Sequence, residues 1–157
     1  MLITLALYNE NYEHQLKDFH QPEDQLQFTS MPLDKIHHPA ISTGIAHIVI
    51  LRDDEPVGYF ALEKGEKLLQ YSSNQKARLL TSFSIDARHQ GQGFAKNGLT
   101  QLPSFIRENL PDTNEVVLGV NKRNQAAISL YLKTGFTDED EIFEGRNGPQ
   151  HILHLKI

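Results

Sequence analysis

The chain has 157 residues, 39% of them hydrophobic, which suits one domain spanning 1–157 with a proper core. A formal net charge of -5 argues against a nucleic-acid partner, which calls for a basic stripe along the phosphates. Cysteine is absent, so disulfides, thiolate metal sites and a cysteine nucleophile are excluded by inventory.

Ile3, Leu5 and Leu7 alternate with Thr4, Ala6 and Tyr8, the period of a half-buried strand. The same segment lacks the basic flank and length of a signal core, and no apolar stretch approaches the ~20 residues that span a bilayer. A cytoplasmic protein without membrane contacts is therefore expected. Tyr12, Leu16 and Phe19 recur at helical spacing. Between His20 and Ile41 stand Pro22, Pro32 and Pro39, which predicts a short helix around Glu23 to Thr29 and then an irregular connection.

Two apolar runs, Ala46 to Leu51 and Val57 to Leu62, flank Arg52-Asp53-Asp54-Glu55-Pro56 and predict an antiparallel hairpin. Lys64 to Ala77 is polar and reads as a solvated loop, followed by a strand from Leu79 to Ile85. From Phe94 onward Gly98, Leu99, Leu102, Phe105 and Ile106 mark one helical face, with Pro103 inside it to kink the helix and Pro111 to end it. Val116 to Val120 predicts another strand, Asn124 to Thr134 a helix closed by Gly135, and Phe136 to Phe143 with His151 to Ile157 a final pair of strands. This order gives an α+β (mixed α/β) architecture, not a strictly alternating doubly wound one.

The most informative stretch is Gln90-Gly91-Gln92-Gly93-Phe94-Ala95, between a strand and a helix. Such a turn aims free backbone N–H groups at one point and adds the partial positive charge of a helix start, so it suits a phosphate. A Walker loop would need Gly-Lys-Ser/Thr where Phe94-Ala95-Lys96-Asn97 stands. A dinucleotide fingerprint would need Gly or Ala at Lys96 and an early βαβ unit.

The pattern Arg/Gln-x-x-Gly-x-Gly/Ala is met by Gln90, Gly93 and Ala95, and Asn121, Asn124, Ala127, Leu130, Tyr131, Gly135 and Phe136 follow in a strand-to-helix setting. On these residues and the element order the whole chain resembles the GNAT superfamily of N-acetyltransferases. The resemblance implies a mixed central sheet whose two neighbouring parallel strands splay apart, flanked by helices. It implies acetyl-CoA as cosubstrate, with Phe83, Ser84 and Ile85 along pantetheine and Gln90, Gly91, Gln92, Gly93, Phe94 and Ala95 at the pyrophosphate. Asn121 and Asn124 would stand near the coenzyme, although Asn124 is equally an N-cap and Asn121 a turn former. Lys96, Lys122 and Arg123 would assist the coenzyme phosphates or simply be solvated. Gly119 either lets a ligand approach the strand or accommodates packing.

In the resemblance Tyr131 is the catalytic acid that protonates the departing thiolate, although a tyrosine there is also an ordinary amphipathic core residue, and transfer is direct, since no thiol is available to carry the acyl group. Arg78 to Ile85 contains no carboxylate to act as base, and Asp86 is equally a loop cap. No metal is expected, because His151 and His154 fall on opposite faces of a strand and His37-His38 adjoin a proline. Within the superfamily the chain looks most like small bacterial polyamine-type members, through Gln25-x-x-Phe28 and Ser84-Ile85-Asp86. Glu10, Glu13, Asp18, Glu23, Asp24 and Asp138 to Glu141 would then face a cationic acceptor. The acceptor is a small-molecule or peptide amine, and a homodimer is compatible with the resemblance. Two other readings stay open at the level of sequence: a non-catalytic acyl-CoA-sensing module, and an unrelated nucleotide-binding domain.

Overall fold

A computed structural model describes residues 2–21, 31–38 and 44–157. The alternating N-terminal residues form β1 (Ile3–Leu7), and the hairpin is β2 (Ala46–Arg52) with β3 (Glu55–Glu63). Its turn residues Asp53 and Asp54 have φ of 49° and 72°, the left-handed pair whose twist matches antiparallel strands. Asp53 also fastens β1, since its Oδ1 accepts from the Leu2 N–H at 2.9 Å. Further strands are β4 (Ala77–Ile85), β5 (Glu115–Asn121), β6 (Thr137–Gly145) and β7 (Gly148–Lys156).

These strands make a seven-stranded sheet in the order β1-β2-β3-β4-β5-β7-β6. Every pairing is antiparallel except β4 with β5. That parallel pair holds register only at Ala77, Leu79 and the residue between them, against Glu115 to Val117. Beyond Leu79 and Val117 the two strands part.

One face of the sheet is covered by α4 (Phe94–Thr100), α5 (Leu102–Asn109) and α6 (Gln125–Lys133). Phe94, Leu99, Leu102, Ile106 and Phe136 pack there against Ile48, Ile50, Phe60, Leu118 and Leu153 in the main core. The expected kink resolves into a break at Gln101, and Pro103 falls in the first turn of α5, where its missing N–H costs no helical hydrogen bond. On the other face lie α1 (Glu13–Leu16), α2 (Pro32–Ile36) and α3 (Glu66–Leu69). Leu16 and Phe19 are buried there against Val49 and Leu51, although the helix ends at Leu16 and Phe19 lies beyond it.

One expectation needs revision. The stretch from Lys64 to Ala77 is not solely a solvated loop: Glu66–Leu69 is helical, Leu68 is buried against Leu79 and Val117, and Ala77 already belongs to β4. The predicted helix at Glu23 to Thr29 lies outside the described residues. Among the described residues no helix is long and apolar enough to cross a membrane.

Candidate active site

The parting of β4 and β5 opens a cavity of about 730 Å³ that reaches both faces of the sheet. Such a volume suits a cofactor-sized ligand. Leu80, Phe83 and Ile85 line it on the α4–α6 face, and Leu79, Thr81 and Ser84 on the opposite face, an alternation that slips by one residue between Thr81 and Ser84. β4 is also bulged: Tyr59 pairs with Ser84 and Ala61 with Thr81, so Ser82 and Phe83 together oppose Phe60 alone. Ser82 takes φ of 57°, a conformation that a serine adopts only when its surroundings impose it. The bulge lifts backbone amides out of the β3 ladder at the point where β5 has moved away.

Along this cavity the predicted coenzyme residues Phe83, Ser84, Ile85, Gln90, Gly91, Gly93, Phe94, Ala95, Lys96, Asn121 and Asn124 come together with Tyr131. Gln92 does not line it. Gly91 and Gly93 have φ of 76° and 81°, the left-handed region that the turn needs, and Gly93 directly precedes α4. No side chain caps that helix start, so its first N–H groups face the turn. The Phe94 side chain contributes by anchoring: it is buried in the core, with the Arg52 guanidinium 5.8 Å from its ring centroid. Gln90 Nε2 donates to the Ile85 carbonyl at 3.2 Å and ties the turn to the strand end.

Tyr131 projects from α6, buried against Phe83 and Phe136 with edge-on ring contacts at 6.1 and 5.4 Å. Burial pushes its hydroxyl above the ordinary tyrosine pKa, so it keeps its proton at neutral pH. Asn124 is the N-cap of α6, accepting from the Ala127 N–H at 3.2 Å. Asn121 is a turn former: its Oδ1 accepts from the Arg123 N–H at 2.9 Å and its Nδ2 donates to the Asn147 carbonyl at 2.8 Å. Arg123 is committed to the same corner, donating to Asn121 Oδ1 and the Asn147 carbonyl, and neither it nor Lys122 lines the cavity.

Sequence reasoning missed much of the face opposite α4 to α6, where Lys35, Lys67, Tyr71 and Gln150 also line the cavity. Tyr71 donates to Gln150 Oε1 at 2.9 Å and lies against the tilted ring of Phe143, centroids 4.5 Å apart, so both Tyr71 and Gln150 cross Gly119. Glu63 accepts from Lys35 Nζ at 2.7 Å and from the Thr81 hydroxyl, with Lys67 Nζ 3.9 Å away. Burial pushes the Glu63 carboxyl up, but the hydrogen bonds from Lys35 and Thr81 and the charge of Lys67 prevail and hold it below its usual range. A carboxylate at a strand end reads as solvated, and the groups that hold Glu63 come from α2, α3 and β4, so no local pattern marked it.

Asp86 is a loop cap. Its carboxylate accepts from the Arg88 N–H, Nε and Nη2 and from the His20 N–H, and it is only 2% exposed. The acidic residues expected around the acceptor are elsewhere: Glu13 pairs with His37, Asp138 lies 3.5 Å from His151, and Glu139 and Glu141 surround His154. None of them, nor Glu10 or Asp18, lines the cavity, while Glu23 and Asp24 lie outside the described residues. His151 and His154 do face opposite ways, and among the described residues no group of three His, Asp or Glu is set to hold a metal.

A mixed sheet opened between two parallel strands, with a glycine turn at one end, is an acyltransferase architecture. Solved structures share it: aminoglycoside acetyltransferase AAC(6')-Ib in complex with paromomycin and acetyl-CoA superposes with a TM-score of 0.78 at 15% identity, covering 99% of this chain and 94% of that one. A spermidine N-acetyltransferase chimera from Vibrio cholerae and hSSAT gives 0.71 at 17%, covering 99% and 96%. In sequence the chain is 38% identical over 153 residues, 97% of this chain and 96% of the other, to the uncharacterized N-acetyltransferase YbbJ of Bacillus subtilis (strain 168). The profile of the Acetyltransferase (GNAT) family matches residues 6–136. The chain belongs to the GNAT family, and its activity class is N-acetyl transfer.

Proposed function

We propose that the protein moves an acetyl group from acetyl-CoA directly to a primary amine of a small molecule or peptide. The observation that carries this reading is the passage between β4 and β5, running from the glycine turn to Tyr131 and on to the opposite face. Its residues fit the coenzyme: the bare amides from Gly91 to Ala95 suit a pyrophosphate, and the unpaired edges of two strands suit an amide-bearing arm. The Ser84 hydroxyl, 1% exposed and without a hydrogen-bond partner, is a buried polar group that a ligand would satisfy.

In this reading the amine enters from the α2 and α3 face and meets the thioester at the splay. Bulge amides at Ser82 and Phe83 donate to the carbonyl oxygen as charge develops there. Tyr131 gives its proton to the departing thiolate, and the amine's proton leaves through water, because the described lining carries no carboxylate in reach. Incubation with acetyl-CoA and a panel of polyamines, amino acids, aminoglycosides and peptides, with thiol release followed, tests the proposal. Turnover of at least one amine together with coenzyme binding in calorimetry is expected. Coenzyme binding without turnover of any amine would leave a sensing module instead.

A further inference from the structure

The acceptor face carries a charge that acetyl transfer itself does not use. Lys35 from α2 and Lys67 from α3 line the cavity together, and both approach one oxygen of Glu63, at 2.7 and 3.9 Å. Thr81 donates to that same oxygen. One carboxylate thus serves two ammonium groups, and one positive charge is left over at the wall where the acceptor must lie.

The two lysines differ in commitment. Lys35 is nearly buried and hydrogen-bonded to Glu63, whereas Lys67 is half exposed and stands beyond hydrogen-bond length. Lys67 therefore has donors to offer an incoming group. Two ammonium groups that share the single Glu63 carboxylate beside a partly dry cavity leave a net positive charge that a second anion would offset. On the same sheet face the buried Ser84 hydroxyl also lacks a partner. Gln150 and Tyr71 complete a polar wall, with no negative charge among the described lining residues.

We infer that the acceptor is an amine that also bears a carboxylate, which Lys67 binds with Lys35 behind it, and not a polycation. The inference rests on the transferase reading above. A second ammonium on the acceptor would meet Lys67 head-on, so the same lysine selects for one class and against the other.

Three amines of equal length separate the possibilities: 5-aminopentanoate, pentylamine and 1,5-diaminopentane, each assayed with saturating acetyl-CoA. The expected kcat/KM favours 5-aminopentanoate over pentylamine by about tenfold or more, the size of one charge-assisted hydrogen bond, with 1,5-diaminopentane last. Lys67→Ala should abolish the gap between the first two, with the loss falling on KM. Lys67→Arg should keep it, and Lys67→Glu should move 1,5-diaminopentane to the front. A native preference for the diamine, or Lys67 variants that shift all three amines alike, would overturn the inference. If none of the three is acetylated, pentanoate and pentylamine are compared for thermal stabilisation of the protein with coenzyme A present. Stabilisation by pentanoate alone, lost in Lys67→Ala, upholds the anion site, and its absence refutes it. Failure to bind coenzyme A would instead remove the transferase reading, and pentanoate stabilisation of the protein by itself then decides the anion site.

Discussion

The ring of Tyr131 meets the ring of Phe83 edge-on, which registers helix α6 against the bulged segment of β4. The proposed acid and the amides proposed for the carbonyl oxygen are thereby held by one packing contact. Tyr131→Phe preserves the ring and removes only the hydroxyl. Turnover should fall by roughly 10²-fold or more, the usual contribution of a positioned acid, while coenzyme affinity in calorimetry stays within about twofold. Unchanged turnover would take Tyr131 out of the chemistry.

Gly93→Glu tests the turn. A Cβ there meets nothing within 4 Å, so the substitution creates no clash, but a φ of 81° costs an L-residue about 1–2 kcal/mol. The protein should still fold, with a lower melting temperature, and bind coenzyme A at least about tenfold more weakly, because a carboxylate now faces the diphosphate. Gly93→Asn, which tolerates the left-handed region, should lose much less affinity. Equal losses in the two variants would remove the charge from the explanation and attribute the effect to any side chain at that position.

How far these features were legible depends on whether a residue type signals its conformation. The Asp53-Asp54 turn, the Pro103 break and the Asn124 cap were readable because each of these residues has a local reason to be where it is. The bulge at Ser82 was not, since its positive φ is imposed by neighbouring strands and serine has no preference for it. Glu63 was missed because its lysine partners come from α2 and α3, one of them 28 positions away, and only the folded chain unites them. Helix α3 was missed because four residues are too few to display a period, although Leu68 is buried.

Asp86 should matter to stability and not to the acid–base step. Burial pushes its carboxyl up, but hydrogen bonds from the Arg88 side chain and from the Arg88 and His20 backbone outweigh that and hold it below the usual range. A depressed carboxylate contributes stability above its unfolded pKa of about 3.9 and loses it as pH falls through the lower folded value. Denaturant midpoints should therefore drop on the acid side of about pH 4 more steeply in the native protein than in Asp86→Ala. At neutral pH that variant should cost about 1–3 kcal/mol, with the kcat of the folded fraction retained.

His154 supplies the opposite sign. Burial lowers its pKa, but Glu141 at 2.5 Å from Nε2 and Glu115 at 3.1 Å from Nδ1, with Glu139 nearby, raise it above its ordinary value. Stability from such a group is complete below the unfolded pKa of about 6.5 and is lost as pH rises through the folded value. Urea midpoints measured from about pH 6 to pH 9 should decline in the native protein and stay flatter in His154→Gln. Parallel profiles for the two proteins would show that the ring is not charged in the fold.

Gly119→Ala distinguishes the two readings of the mid-strand glycine. An added Cβ would stand 2.1 Å from Gln150 Oε1 and 2.5 Å from the Tyr71 ring, so both side chains must move. The Gln150 amide can swing away, but the Tyr71 ring is backed by Phe143 and hydrogen-bonded to Gln150, and its displacement should cost about 1–3 kcal/mol of stability. Because Tyr71 and Gln150 form the wall on the acceptor face, the acceptor KM should rise several-fold while the affinity for coenzyme A changes little. If coenzyme affinity falls and the acceptor KM holds, the glycine is there to let the coenzyme pass against β5, and the packing of Tyr71 over it is secondary.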